Sequence, residues 1–400
     1  MLINIKSHRF LAFLLVVILS LFVRFYNFPN RIAFHSEQGL ALSVAADYLR
    51  DKFSLLGQRM FLRTTSKGHI LFSGSLYNYS LIPLLLIFRY QPLPITAVFT
   101  MLNFLTGLTV YLLVKKMLGY KIAFTSLILF MFSDVMIQHS LHIWILDYIP
   151  LISILSIYLI WRYKIYKKKS LLLLLGVLSG IGFNLEYFYL FTIFLIAVLL
   201  FLFSRRKLLD LVIYIVGLIL GNWTMVIFDL RHDFYYFKTL WQYFLDALNN
   251  PGQSQISSYH FLQFWPIFFI ILAILINRIS EINKYLGIGI LSAYLFFNLF
   301  SPKVSFSKAV GMSEGLNYKK IYLAAKTIAQ NNPSSFNLVN LPDSDFRSYS
   351  LRYLVKYIFG KNPANMENYK DVNNLYVLSR SNFQLNNSQP GKLQFLMPVI

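Results

Sequence analysis

Nine mostly apolar stretches follow one another along this chain, at residues 10–28, 94–114, 122–140, 147–163, 170–187, 189–204, 208–228, 261–277 and 285–301. A helix needs about 20 such residues to cross the hydrocarbon core of a bilayer. Inside that core every backbone N–H and C=O must be satisfied within the segment, so helices are the available spanning form. The pattern restricts the chain to a polytopic helical membrane protein. Composition agrees, since 57% of the 400 residues are hydrophobic and only 13% are charged, more apolar surface than a soluble domain of this size could bury. A tenth apolar stretch, Leu76–Phe88, is short and interrupted by Pro83, which predicts a re-entrant or surface-lying helix.

The net charge of +21 is explained largely by topology. With nine spans, Lys6/Arg9, Lys115/Lys116/Lys121, Arg162 through Lys169, Arg205/Arg206/Lys207 and Arg278/Lys284 all fall on one side. Lysine and arginine concentrate in cytoplasmic loops, so that side is the cytoplasm and nucleic acid is not an expected partner. Counting Leu76–Phe88 as a span would move the later clusters outside, against the pattern. The basic N-terminus ahead of the first stretch resembles a signal peptide. No small-x-small cleavage site follows, and the stretch ends in Arg24-Phe25-Tyr26-Asn27-Phe28-Pro29, so an uncleaved anchor is expected. Cysteine is absent, which excludes disulfides, thiolate metal sites and cysteine nucleophiles.

The expected fold is an all-α polytopic membrane protein of about nine transmembrane helices in residues 1–301, followed by a small extracytoplasmic α/β domain in residues 302–400. The N-terminus is cytoplasmic in a plasma (inner) membrane, and residues 29–93, 141–146, 229–260 and the tail lie outside. The 29–93 loop carries juxtamembrane helices. In the tail, Leu316–Gln330 and Asp345–Phe359 read as helices, the second closed by Gly360. Phe336–Leu341 and Leu375–Ser379 read as strands, and Asn386-Asn387-Ser388 as a loop.

The polar groups of interest gather on the outer side. Glu37 is the one acid near the end of the first span and should open a helix running to about Asp51, with Ser36 as its N-cap. A carboxylate there would accept a proton from an acceptor hydroxyl or hold a divalent cation; as a plain first-turn acid it would do neither. Arg231, with Asp229, His232 and Asp233 beside it, has the planar fork that suits phosphate, or it is a snorkelling arginine paired to a neighbouring acid. Lys67, His69 and Arg24 are further candidates for a phosphate, and charges at an interface are also common. Glu186 and Tyr187 end one apolar stretch, and Asp147 opens another in a position favoured by the helix dipole. No phosphate-binding glycine loop, HExxH or serine nucleophile elbow is present.

Four local matches make the chain resemble the bacterial members of glycosyltransferase family 39, within the GT-C superfamily. They are Arg24-Phe25-Tyr26 with Glu37-Gln38-Gly39; Leu55-Leu56-Gly57 with Ser73-Gly74-Ser75-Leu76-Tyr77-Asn78-Tyr79; Asn184-Leu185-Glu186-Tyr187; and Phe228-Asp229-Leu230-Arg231-His232-Asp233-Phe234. The last is the most specific. Glu37 stands where the family usually carries Asp, and Glu186 where His is common. The resemblance implies inverting transfer of a sugar from a polyprenyl-phosphate donor to a protein, lipid or glycan outside the cytoplasm. Glu37 would activate the acceptor as general base or metal anchor, and Arg231, assisted by His232 or Lys67, would neutralise the donor phosphate. Gln38, His69, Asp147, Glu186, Tyr187 and Asp229 would support the site. No cofactor beyond a possible divalent cation is implied. A non-catalytic relative and a transporter of lipid-linked glycans are the alternative readings.

Overall fold

A computed structural model describes residues 2–50, 53–204, 206–249, 258–313, 315–331, 333–343, 347–366, 368–369, 371–379 and 393–396. The expected loop at Asn386-Asn387-Ser388 lies outside them, as does the start of the helix expected from Asp345. The chain opens with α1 (Leu2–Phe25) and a single turn, α2 (Phe28–Arg31), before α3 (Ser36–Arg50). Next come a hairpin, β1 (Leu56–Thr64) and β2 (Ile70–Gly74), and α4 (Leu76–Ile87). The helical body continues with α5 (Pro92–Leu118), α6 (Tyr120–Met131), α7 (Asp134–His139), α8 (Ile149–Tyr166), α9 (Lys169–Leu185) and α10 (Leu190–Phe203). It ends with α11 (Lys207–Gly221), α12 (Trp223–Arg231), α13 (Tyr235–Asn249), α14 (Trp265–Ile282) and α15 (Lys284–Leu299).

Among the described residues, four helical segments are long and apolar enough to cross a membrane: His8–Phe25, Pro92–Leu118, Ile145–Tyr166 and Ser258–Ile282. The bent pair α11–α12 would make a fifth. The chain is an α-helical membrane protein on this measure. The nine expected stretches all fall on helices, yet several are short or broken rather than continuous spans. The 122–140 stretch stops at Met131 and resumes at Asp134, because Ser133 is extended and the Asp134 N–H is taken by the Asn298 side chain at 2.8 Å. The 208–228 stretch turns through 81° between α11 and α12. There Asn184 Nδ2 donates to Asn222 Oδ1 and Thr224 Oγ1, both at 2.9 Å, fixing the bend.

Close helix packing in the body relies on small residues. Gly176 and Gly180 of α9 face Gly217 and Gly221 of α11, and a Cβ on any of them would come within 2.1–2.3 Å of a carbonyl on the other helix. This small-xxx-small pairing is the way two helices approach in lipid, where apolar side chains gain nothing by leaving the solvent.

The β1–β2 hairpin was not expected in the first loop. It closes through Thr65, whose N–H and hydroxyl both bond His69, and through Gly68 at φ +77°. The tail supplies α16 (Tyr318–Gln330), β3 (Phe336–Asn340), α17 (Tyr349–Tyr353) running into a π-turn over Leu354–Ile358, β4 (Asn374–Leu378) and β5 (Leu393–Leu396). The three strands form a parallel sheet in the order β3-β4-β5. β5 has no counterpart in the sequence reading. Ile321, Leu338, Leu351, Leu354 and Tyr376 belong to the same apolar cluster as Val23, Ile95, Phe130 and Ile154, so the tail shares one continuous core with the helices.

Candidate functional site

The segment from His35 to Gly39 is positioned by its own three residue types. Gln38 is buried and its Oε1 accepts the His35 N–H at 3.1 Å, which tightens the entry to α3. Ser36 is the first helical residue, and its hydroxyl donates to Asp343 Oδ2 at 3.0 Å, as does that of Ser350 at 3.2 Å. Gly39 lies against the start of α17, where a Cβ would sit 2.4–2.5 Å from the backbone of Tyr349 and Ser350. With Gln38 and Gly39 facing inward, Glu37 is turned out. Its side chain is exposed, and none of its carboxylate oxygens has a hydrogen-bond or ion-pair partner among the described residues.

Glu37 lines a cavity of about 400 Å³. The wall opposite comes from α7 and the short 141–146 loop. That loop is tied down by Ala33 N–H to Leu141 O at 3.0 Å and by Tyr77 OH to Ile143 O at 3.2 Å. His139 stacks on Trp144 at 5.0 Å, and Trp144 meets Tyr259 edge-on at 5.1 Å, so aromatic faces cover one side. His142 Nδ1 lies 2.9 Å from Gln138 O, which assigns the ring proton to Nδ1 and leaves Nε2 an acceptor. Burial, with His35 nearby as the lesser cause, pushes the His142 pKa down to about 4, so the ring is neutral at pH 7. Lys303 is the one lysine or arginine among the described lining residues. Asp134 also lines the cavity, but its carboxylate already accepts Ser301 Oγ and Val135 N–H, both at 2.7 Å.

Arg231 and His232 line a different cavity, of about 1000 Å³, together with Asp47, Tyr48 and Arg50 from the far end of α3. With a rise of 1.5 Å per helical residue, Glu37 and the Asp47–Arg50 turn are roughly 15–20 Å apart. The expected pairing of Glu37 with Arg231 at one reacting centre is therefore not what the fold makes. The arginine is carried away by the bend at Asn222 and by Asp229, which accepts Tyr236 N–H at 2.7 Å and Phe237 N–H at 3.1 Å and so anchors α12 to α13.

Other expected site residues serve the scaffold. Arg24 is fully buried, donating to Met131 O at 2.9 Å and Asn103 Oδ1 at 3.0 Å, and so faces neighbouring helices instead of a phosphate. Asp147 is buried and accepts the Trp144 N–H at 3.2 Å in a capping arrangement. Glu186 accepts Phe188 N–H at 3.1 Å and lies 3.4 Å from His260, while Tyr187 is buried against Tyr243 and Phe244. Lys67 sits in the hairpin turn, where it helps hold the Asp246 carboxylate below its usual range after the hydrogen bonds from Ser66 and Gln242. His69 packs edge-on against Tyr235 at 5.4 Å.

His35, Gln138, His139, His142, Tyr259, Trp265 and Lys303 were not singled out by the sequence reading, yet all line the Glu37 cavity. The available signal was modest: two histidines three apart at the end of an apolar stretch, and aromatics at the start of another. Among the described residues no three His, Asp or Glu side chains are arranged to hold a metal. No family model matches the sequence, and no curated protein matches it.

Proposed function

We propose that the chain is a membrane glycosyltransferase that moves a sugar, with inversion, from a polyprenyl-phosphate donor to an acceptor on the outer face of the plasma membrane. One observation carries this reading: Glu37, a carboxylate with no partner among the described residues, at an aromatic-walled cavity of sugar size. In the proposed step an acceptor hydroxyl attacks the anomeric carbon while Glu37 takes its proton. The bond from that carbon to the phosphate oxygen breaks, and polyprenyl phosphate leaves as an anion. A leaving phosphate needs a cation close by. Lys303 lines the same cavity and takes the role first given to Arg231. Trp144 and Tyr259 offer ring faces for the sugar, and His142 Nε2 an acceptor for one of its hydroxyls.

The nine apolar stretches are assigned as nine crossings, the seventh made by α11 with α12 turned aside beyond it, with the N-terminus inside and the segment after residue 301 outside, where α17 packs on α3. Purified protein incubated with a panel of polyprenyl-phosphate sugars and a cell-envelope extract that supplies acceptor hydroxyls should release polyprenyl phosphate from at least one. Glu37→Gln should lower that release about 10²- to 10⁴-fold, the usual weight of a general base, with the protein still folded. Release by the Gln variant equal to the parent's would remove Glu37 from the mechanism. The separation of Arg231 from Glu37 favours a second reading, a non-catalytic relative that only binds lipid-linked sugar. Binding of a donor without release of polyprenyl phosphate from any of them would select it.

A further inference from the structure

The 1000 Å³ cavity at the far end of α3 has a chemistry of its own. Arg50 and Arg231 both line it, and neither is paired with a carboxylate among the described residues. Asp47, the acid among its described lining residues, is already engaged by Lys356 at 3.1 Å and by the Tyr357 hydroxyl. Arg50 and Arg231 thus both border the opening, Arg50 with its guanidinium over the Tyr357 ring at 5.0 Å, and Tyr48, Trp223 and Phe228 lie beside them.

An apolar stripe leads to this opening. Leu208, Val212, Ile215 and Ile219 recur at helical spacing along α11, and Trp223, Ile227 and Leu230 along α12 beyond the bend, and all are exposed. Because α12 turns 81° from α11, a membrane crossing by α11 would lay α12 near the plane of the bilayer surface, with Arg231 at its end. Acyl chains can lie on the stripe of α11 while the headgroup meets the arginines, whose planar forks match phosphate oxygens.

The geometry points to a binding site for the phosphate headgroup of an acidic membrane phospholipid in the cavity between Arg50 and Arg231. This site is separate from the Glu37 cavity and does not rest on the glycosyltransferase reading. A phosphate here is roughly 15–20 Å of α3 away from the carboxylate, too far to be the leaving group of a reaction at Glu37.

The test uses the full chain purified in detergent and mixed with equal amounts of phosphatidic acid and phosphatidylcholine of identical acyl chains. Retained lipid is counted by native mass spectrometry. The parent should hold phosphatidic acid in preference. Joint replacement Arg50→Gln and Arg231→Gln should reduce the preference about thirtyfold, the effect of two basic side chains at an anionic membrane surface. Lys284→Gln, an exposed cation on another helix, should change nothing, and Glu37→Gln should retain phosphatidic acid as the parent does. The double variant keeping the parent's preference would overturn the site. So would displacement of the lipid by glycerol 3-phosphate at equal concentration, which would mean that the acyl chains contribute nothing.

Discussion

At the scale of single residues, the Glu37-Gln38-Gly39 triplet divides into one exposed acid and two structural neighbours. Gln38 closes the turn into α3, and Gly39 lets the backbone of α17 approach. Gly39→Ala should destabilise the protein by about 1–3 kcal/mol, because the added carbon meets backbone rather than a flexible side chain. Gly289→Ala on α15, where a Cβ meets nothing within 4 Å, should leave thermal unfolding in detergent unchanged or slightly raised. Equal midpoints for the two variants would mean that α17 does not press on Gly39. Charge and residue type made Glu37 legible in the sequence. They gave no warning that Arg24 is buried against Met131 and Asn103, since a buried arginine and an interfacial one look alike in one dimension.

At the scale of elements, the sequence periodicity locates helices well and their interruptions poorly. α3, α16, β3 and β4 lie within about two residues of their expected bounds, as the hydrophobic period and caps require. The break between α6 and α7 and the bend between α11 and α12 depend on Asn298 and Asn184, side chains distant in sequence, and could not be read locally. The four-glycine contact between α9 and α11 makes a further prediction. Gly217→Leu places a side chain where the Leu173 carbonyl lies 2.3 Å from a simple Cβ, so the helices must separate. A lowered thermal midpoint in detergent is expected. Leu218→Ala, next along the helix, should have the smaller effect.

At the scale of the whole molecule, the absence of cysteine gives a clean background for mapping topology. Single cysteines at Lys167 and Lys67 should react with a membrane-impermeant maleimide from opposite sides, Lys67→Cys from outside in intact cells and Lys167→Cys only after permeabilisation. Labelling of both from the same side would break the positive-inside assignment. By itself the sequence determined that the chain is an apolar, helical membrane protein, where its cations cluster, and which acid is isolated near its first helix. Those properties follow from composition and short-range periodicity, which act residue by residue along the chain. Only the tertiary structure decided which groups meet. The 15-residue α3 holds Glu37 and Arg50 at opposite ends, and α12 turns Arg231 toward Arg50. The 141–146 loop brings His142 and Trp144 to Glu37. Sequence proximity and motif order carry no information about such distances, because they are set by helix length, by bends fixed through remote hydrogen bonds, and by close packing at glycines.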